Sequence, residues 1–191
     1  DSLQDTRARF YRDYAFADLI VSTAERSDVE TIKAQGYNPG ASIFQYDFLN
    51  PDAPSPFFGG EKSTAPPHVD AQLRAASKAG KRLVFVMNPP YGTANNLAKD
   101  GTSKAGIAST RAGGVMKDAG MQSAAAQLYT QFMYCARLIA QKAGFDRFTI
   151  AVFSNVNFMT SGAFQVMREW LYACCAFKHG FMLQASQFAD V

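Results

Sequence analysis

Four consecutive residues, Asn88-Pro89-Pro90-Tyr91, stand directly after the apolar run Leu83 to Met87 and before Gly92. Each proline fixes its own φ and pushes the residue before it out of the helical region, so Asn88 and Pro89 are both held extended. Neither proline has an N–H. The corner therefore offers acceptors, the Asn88 side-chain oxygen and the Pro89 carbonyl, beside the face of the Tyr91 ring. Two rigid acceptors next to an aromatic plate suit a flat molecule that carries an NH₂ group.

Such an amine, of which the N6 of adenine is the type, is a poor nucleophile because its lone pair is delocalised into the ring. Drawing its hydrogens towards fixed acceptors makes the nitrogen more tetrahedral and frees the lone pair. Against an electrophile such as a sulfonium methyl no metal is required, and the barrier falls through alignment and electrostatic preorganisation. A base taken from duplex DNA has to leave the stack, and Tyr91 can replace the stacking that it loses.

The elements that position this corner are legible from pattern. Phe16 to Glu25, "FADLIVSTAE", is a mostly apolar run ending in polar residues, as a buried strand does, and it delivers Glu25. Ser27 with Glu30 three places on forms a capping box for a helix that Gly36 and Pro39 close. Ala41 to Tyr46 reads as a second short strand with Asp47 at its exit. Five of the eight prolines fall between Asn50 and Pro67, which predicts an irregular connection. A helix over Ala71 to Ala79, stopped by Gly80, leads into the strand Leu83 to Met87. The Gly-, Ala-, Ser- and Lys-rich stretch from about 92 to 120 has no clear periodicity and reads as a flexible loop. Its functional alternative is a segment that orders over a target strand and touches phosphates. Leu128, Phe132, Cys135 and Ile139 recur at helical spacing and predict a long amphipathic helix ending near Gly144. Phe148 to Phe153 is a further apolar strand, a short helix follows around Phe164 to Tyr172, and two extended pieces flank Lys178 to Gly180. Strands apolar on both faces alternating with helices describe an α/β fold, a mostly parallel sheet with helices on both faces. Ligands gather at the carboxyl ends of such strands, where Glu25, Asp47 and Asn88 fall.

With 191 residues, 48% of them hydrophobic, the chain forms one domain with material for a real core. No apolar window is long enough to span a bilayer and the first residues lack the layout of a secretory signal, so no membrane is expected and a cytoplasmic location is. Cys135, Cys174 and Cys175 show no paired metal spacing, and with His68 and His179 the only histidines no metal site is expected; Cys174 and Cys175 read as small packing residues. A net charge of +3 permits a nucleic-acid partner without demanding one.

The corner and its setting carry a resemblance. "YRDYAFADLIVSTAERSDVETIKAQGYNPGASIFQYDFLN", then "FVMNPPYGTANN" and finally "ASQFADV", in that order and over most of the chain, resembles bacterial or phage adenine-N6 DNA methyltransferases of restriction-modification type. The resemblance implies a Rossmann-like methyltransferase fold, S-adenosylmethionine as cofactor and DNA as substrate. It implies catalytic roles for Asn88, Pro89, Pro90 and Tyr91, with Glu25 on the cofactor's ribose hydroxyls, Asp47 on its adenine and Phe48 packed on that ring. Tyr91 and Phe188 would meet the flipped base. A separate domain or subunit would recognise the target sequence. Family members begin with a strand and a glycine-containing loop just before the strand that ends in the ribose-binding acid, at the centre of the sheet between that strand and the one ending in the catalytic motif. "DSLQDTRARFYRDY" has no glycine and is too polar for that strand. We therefore expect the sheet carried by this chain to be incomplete, its first strand with the glycine loop and its last strand lying outside it.

Other readings of the same residues stay open at this level. Asn-Pro-Pro-Tyr also serves as a plain strand-ending turn, Glu25 and Asp47 as solvated strand ends or caps, and Phe188 as a core aromatic. The same corner fits an enzyme acting on RNA guanine or protein glutamine. A non-catalytic subunit that keeps the sheet and binds DNA or assembles with partners is the alternative from a different class.

Overall fold

Two pairs of parallel strands carry the two corners singled out above. The computed structural model describes Leu19–Ser22 and residues 42–50, 68–89 and 110–182. Strand β1 (Leu19–Ser22) pairs in parallel with β2 (Ser42–Gln45), Leu19 opposite Ser42 and Ser22 opposite Gln45. Strand β3 (Leu83–Met87) pairs in parallel with β4 (Phe148–Val152), Leu83 opposite Phe148 and Met87 opposite Val152. Helix α1 (His68–Lys78) precedes β3. Between β3 and β4 come α2 (Arg111–Asp118), the single turn α3 (Gln122–Ala125) and α4 (Leu128–Lys142). After β4 follow the turn α5 (Asn157–Thr160), a 3₁₀ turn (Gly162–Phe164) and α6 (Gln165–Tyr172). The β3–β4 pair, parallel and joined through helices, has the α/β arrangement that the sequence pattern predicts. The predicted strands and the helices ending at Gly80 and Gly144 stand within a few residues of their expected bounds. Both glycines have positive φ, +66° and +78°, where a side chain would be strained.

Helix α4 is the centre of the packing. Leu128, Phe132, Cys135 and Ile139 are buried as their spacing predicts, and so are Tyr129, Met133, Ala136 and Ala140, so the helix is covered on nearly its whole circumference. The same core takes in Val69 of α1, Met116 of α2 and Met167 of α6, with Leu83, Phe85, Met87, Phe148, Ile150 and Val152 packed against it from one face of the β3–β4 pair. Tyr46 and Phe48, just past β2, belong to the same core. The seam between α4 and α6 holds Arg137, 8% exposed, whose guanidinium lies 3.8 Å from the Trp170 ring centroid while its Nη1 donates to the Trp170 carbonyl. Tyr134 stacks on the same indole, centroids 4.6 Å apart.

Three expectations are corrected. Burial alternates along β3 and β4, leaving Val84 and Val86 more than half exposed, so among the described residues helices cover one face of this pair and not both. Residues 111 to 118, expected within a flexible loop, form α2: Thr110 is its N-cap, with an extended backbone and a hydroxyl that accepts from the Gly113 N–H. Two consecutive glycines in that helix mask it from a propensity reading. Residues 175 to 182 belong to no helix or strand, with Phe177, Phe181 and Met182 exposed, and residues 183 to 191 lie outside the described residues. Cys174 is exposed and so does not pack as expected, while half-buried Cys175 does pack against the core, their Sγ atoms 3.7 Å apart. The proposed helix over Ser27 to Gly36 and the proline-rich stretch beyond Asn50 lie outside the described residues.

The two glycines of α2 are predicted to respond to alanine in opposite directions. A Cβ on Gly114 meets nothing within 4 Å, so Gly114→Ala should gain about 0.5–1 kcal/mol from helix propensity. A Cβ on Gly113 would stand 2.9 Å from Thr110 Oγ1, 3.0 Å from Gln131 Nε2 and 3.3 Å from the Ala125 carbonyl oxygen. Gly113→Ala should therefore lose about 1–2 kcal/mol, since these atoms form a packed polar cluster that has to move. Urea midpoints of the two variants followed by circular dichroism test this; equal shifts would contradict it.

Candidate active site

Pairing of β3 with β4 reaches the residue just before Asn88, since the Phe153 N–H donates to the Met87 carbonyl at 3.0 Å. The chain is then released from the sheet. Asn88 is exposed and Pro89 is buried, so the corner is anchored by its first proline while the amide-bearing residue stands outside the core. An acceptor that has to meet an incoming amine requires that division. Pro90, Tyr91, Glu25 and Phe188 lie outside the described residues.

The second corner follows β2. Asp47 is half-buried, between the buried side chains of Tyr46 and Phe48. Phe48 stacks on Phe132 of α4, centroids 5.1 Å apart and planes 14° apart, and meets Tyr46 edge-on at 5.9 Å. Its expected role was to pack on a cofactor ring; here the ring is a core ring, 9% exposed, and what it does is hold the Asp47 corner against α4. The Asp47 carboxylate accepts from Asn50 Nδ2 through both oxygens, each at 3.1 Å, and takes part in no ion pair among the described residues. Asn50 escaped the sequence reading. The usable signal was Asp followed three residues later by Asn at a strand exit, the spacing of a side-chain-closed turn, and the Asn50 N–H does donate to the Asp47 carbonyl at 3.4 Å.

Helix α2 is docked on this corner. The Ala112 N–H donates to the Leu49 carbonyl at 3.0 Å and the Arg111 N–H donates to Asn50 Oδ1 at 2.9 Å. The negative charge of Asp47 is felt locally. Burial first, and then the charge of Asp47, push the Cys135 thiol up to about 12; burial, Cys135 and Asp47 together raise the Tyr46 phenol. Cys175 is raised to about 11, by burial first and then by Cys174.

These raised thiols predict the sign of the alkaline response. An unfolded thiol gives up its proton near 9, whereas folded Cys135 holds it to about 12, so the folded state binds more protons over that interval. The stability from keeping this thiol neutral is fully present below pH 9 and is lost as the pH rises towards 12. Urea midpoints should fall across that range, less steeply in Cys135→Ala, and Cys135 should resist alkylation at pH 8 until the chain unfolds, while exposed Cys174 reacts in the native state. Equal labelling rates for the two would refute the assignment.

No protein family, curated protein or solved structure matches the chain. Among the described residues no helix is long and apolar enough to cross a membrane. What the site can do rests on its own geometry. It offers an exposed amide on a buried proline at the end of β3, and an oriented, half-buried carboxylate at the end of β2. Both are fixed to the core around α4.

Proposed function

We propose that this chain is the catalytic domain of an S-adenosylmethionine-dependent methyltransferase that modifies the N6 amine of an adenine flipped out of DNA. The observation that carries the reading is the corner after β3, an exposed Asn88 held by a buried Pro89 where the sheet lets the chain go. Pairing supports a Rossmann-like sheet: in that fold the strand ending at the ribose-binding acid and the strand ending at the catalytic motif are not neighbours, and here β1 pairs with β2 and β3 with β4.

The Asn88 side-chain oxygen and the Pro89 carbonyl would accept from the two amine hydrogens, Pro90 would keep the corner stiff, and Tyr91 and Phe188 would stack on the base. Asp47 is suited to a donor such as the cofactor's adenine amine, because two contacts from Asn50 leave lone pairs on both of its oxygens. Glu25 would take the ribose hydroxyls. The cofactor supplies a methyl group on a positively charged sulfur. As the N–C bond forms and the S–C bond breaks, the amine nitrogen loses a proton to solvent.

Incubation with S-adenosylmethionine labelled in its methyl group, together with duplex DNA, RNA or protein, tests the reading. Label in N6-methyladenine of DNA is the expected result. Label in RNA guanine or protein glutamine would move the substrate and keep the corner chemistry. Absence of transfer and of cofactor binding would favour a DNA-binding or assembly subunit.

A further inference from the structure

We infer that Asn50 is a positioning residue that couples the docking of α2 to the carboxylate of Asp47, so that cofactor affinity depends on where the helix after the catalytic corner sits. The inference rests on the cofactor role proposed for Asp47 and adds a means of regulating it. Its basis is one side chain making three contacts in two directions. Asn50 Nδ2 donates to Asp47 Oδ1 and Oδ2, both at 3.1 Å, and Asn50 Oδ1 accepts from the Arg111 N–H at 2.9 Å. The amide is planar, so its two ends cannot be aimed independently. When the first residue of α2 holds the oxygen, the NH₂ group is fixed on the carboxylate. When α2 withdraws, the amide is free to turn and Asp47 loses the donor that orients it.

A backbone bond joins the same two segments as well. This link, Ala112 N–H to the Leu49 carbonyl, fixes where α2 starts without touching Asp47. The same end of α2 is also tied to α4, through Thr110 Oγ1 donating to Gln131 Oε1 at 2.6 Å, a contact that does not touch Asp47. Residues 90–109 join the Asn88 corner to Thr110 along the chain. A displacement of the start of α2 reaches Asp47 through Asn50. By linkage the effect is reciprocal: a ligand that Asp47 holds favours the docked position of α2.

A backbone donor can be deleted at this position without disturbing the helix. Arg111 is the first residue of α2, where proline is favoured because the N–H has no partner within the helix. Thr110 before it already has φ −95° and ψ 152°, the extended conformation that a following proline requires. Arg111→Pro removes the N–H, and Arg111→Ala is the control that removes the side chain alone.

Calorimetric titration of the protein with S-adenosylmethionine, without DNA, gives the test, with thermal midpoints recorded for every variant. We expect Asn50→Ala to weaken affinity about tenfold, the effect of losing a hydrogen bond to a charged group. Asn50→Asp, which keeps the acceptor for Arg111 and replaces the donor by a like charge, should weaken it at least as much. Arg111→Pro should bind about threefold more weakly than Arg111→Ala, with the melting temperature held. Arg111→Pro and Arg111→Ala binding equally well, while Asp47→Ala binds more weakly than the wild type, would overturn the coupling and leave the role of Asp47 standing. Failure of the wild type to bind, or unchanged affinity in Asp47→Ala, would remove the cofactor role and the coupling with it.

Discussion

Asn88→Ala is expected to lower methyl transfer to duplex DNA by about 10²–10³-fold, with cofactor affinity and folding unchanged. The magnitude is that of removing one fixed group aimed at the charge that develops in a transition state. Positive charge builds on the amine as the new bond forms, and an amide oxygen already in place stabilises it without reorganising. Asn88 is exposed, so the substitution should move stability by no more than about 0.5 kcal/mol. That separation makes the experiment decisive. Single-turnover rates with labelled cofactor, alongside a thermal melt, measure both quantities. A rate within threefold of the wild type would remove Asn88 from the mechanism, and a matching loss of stability would turn its role into a structural one.

Much of the frame was legible in the sequence because it depends on local signals. Leu83 to Met87 is a run of five apolar residues bounded by charge before and proline after, and β3 has those bounds. The glycines at 80 and 144 end helices because both need positive φ. The identification of Asp47 as a strand-exit acid was equally local. What could not be read depends on which surfaces meet. Phe48 beside Asp47 looks like a platform for a ligand ring, yet Phe132, more than eighty residues along the chain, already occupies its face. The alternation of burial along β3 and β4 is likewise invisible in runs such as "LVFVM", which are apolar at every position whichever face is covered. Helix α2 was hidden for a different reason. Its sequence, "RAGGVMKD", is a poor helix former, and it exists through contacts from outside itself: the Thr110 cap, the Gln131 side chain and the exit of β2.

That dependence leads to the largest expected loss of stability. Gln131→Leu should destabilise the fold by about 2–4 kcal/mol although leucine has nearly the right volume and is apolar in an apolar core. Gln131 is wholly buried. Its Oε1 accepts from Thr110 Oγ1 at 2.6 Å and its Nε2 donates to the Ala125 carbonyl at 2.7 Å, so one side chain on α4 joins the start of α2 to the end of α3. Leucine fills the space and leaves both partners facing carbon. The Thr110 hydroxyl has a second task, accepting from the Gly113 N–H at 3.0 Å, and without Gln131 to orient it the cap weakens too. A double-mutant cycle with Thr110→Val separates the terms. If the pair acts as a unit, the double variant should be more stable than the sum of the single losses implies, by about 1–2 kcal/mol. Denaturation can be followed by circular dichroism and by the emission of Trp170, the one tryptophan of the chain, which packs against Tyr134 and Arg137 of α4. Because α2 also holds Asn50, the Gln131 variant should bind S-adenosylmethionine more weakly even where it is fully folded. A loss below about 0.5 kcal/mol with strict additivity would mean that α2 is held by apolar contacts alone.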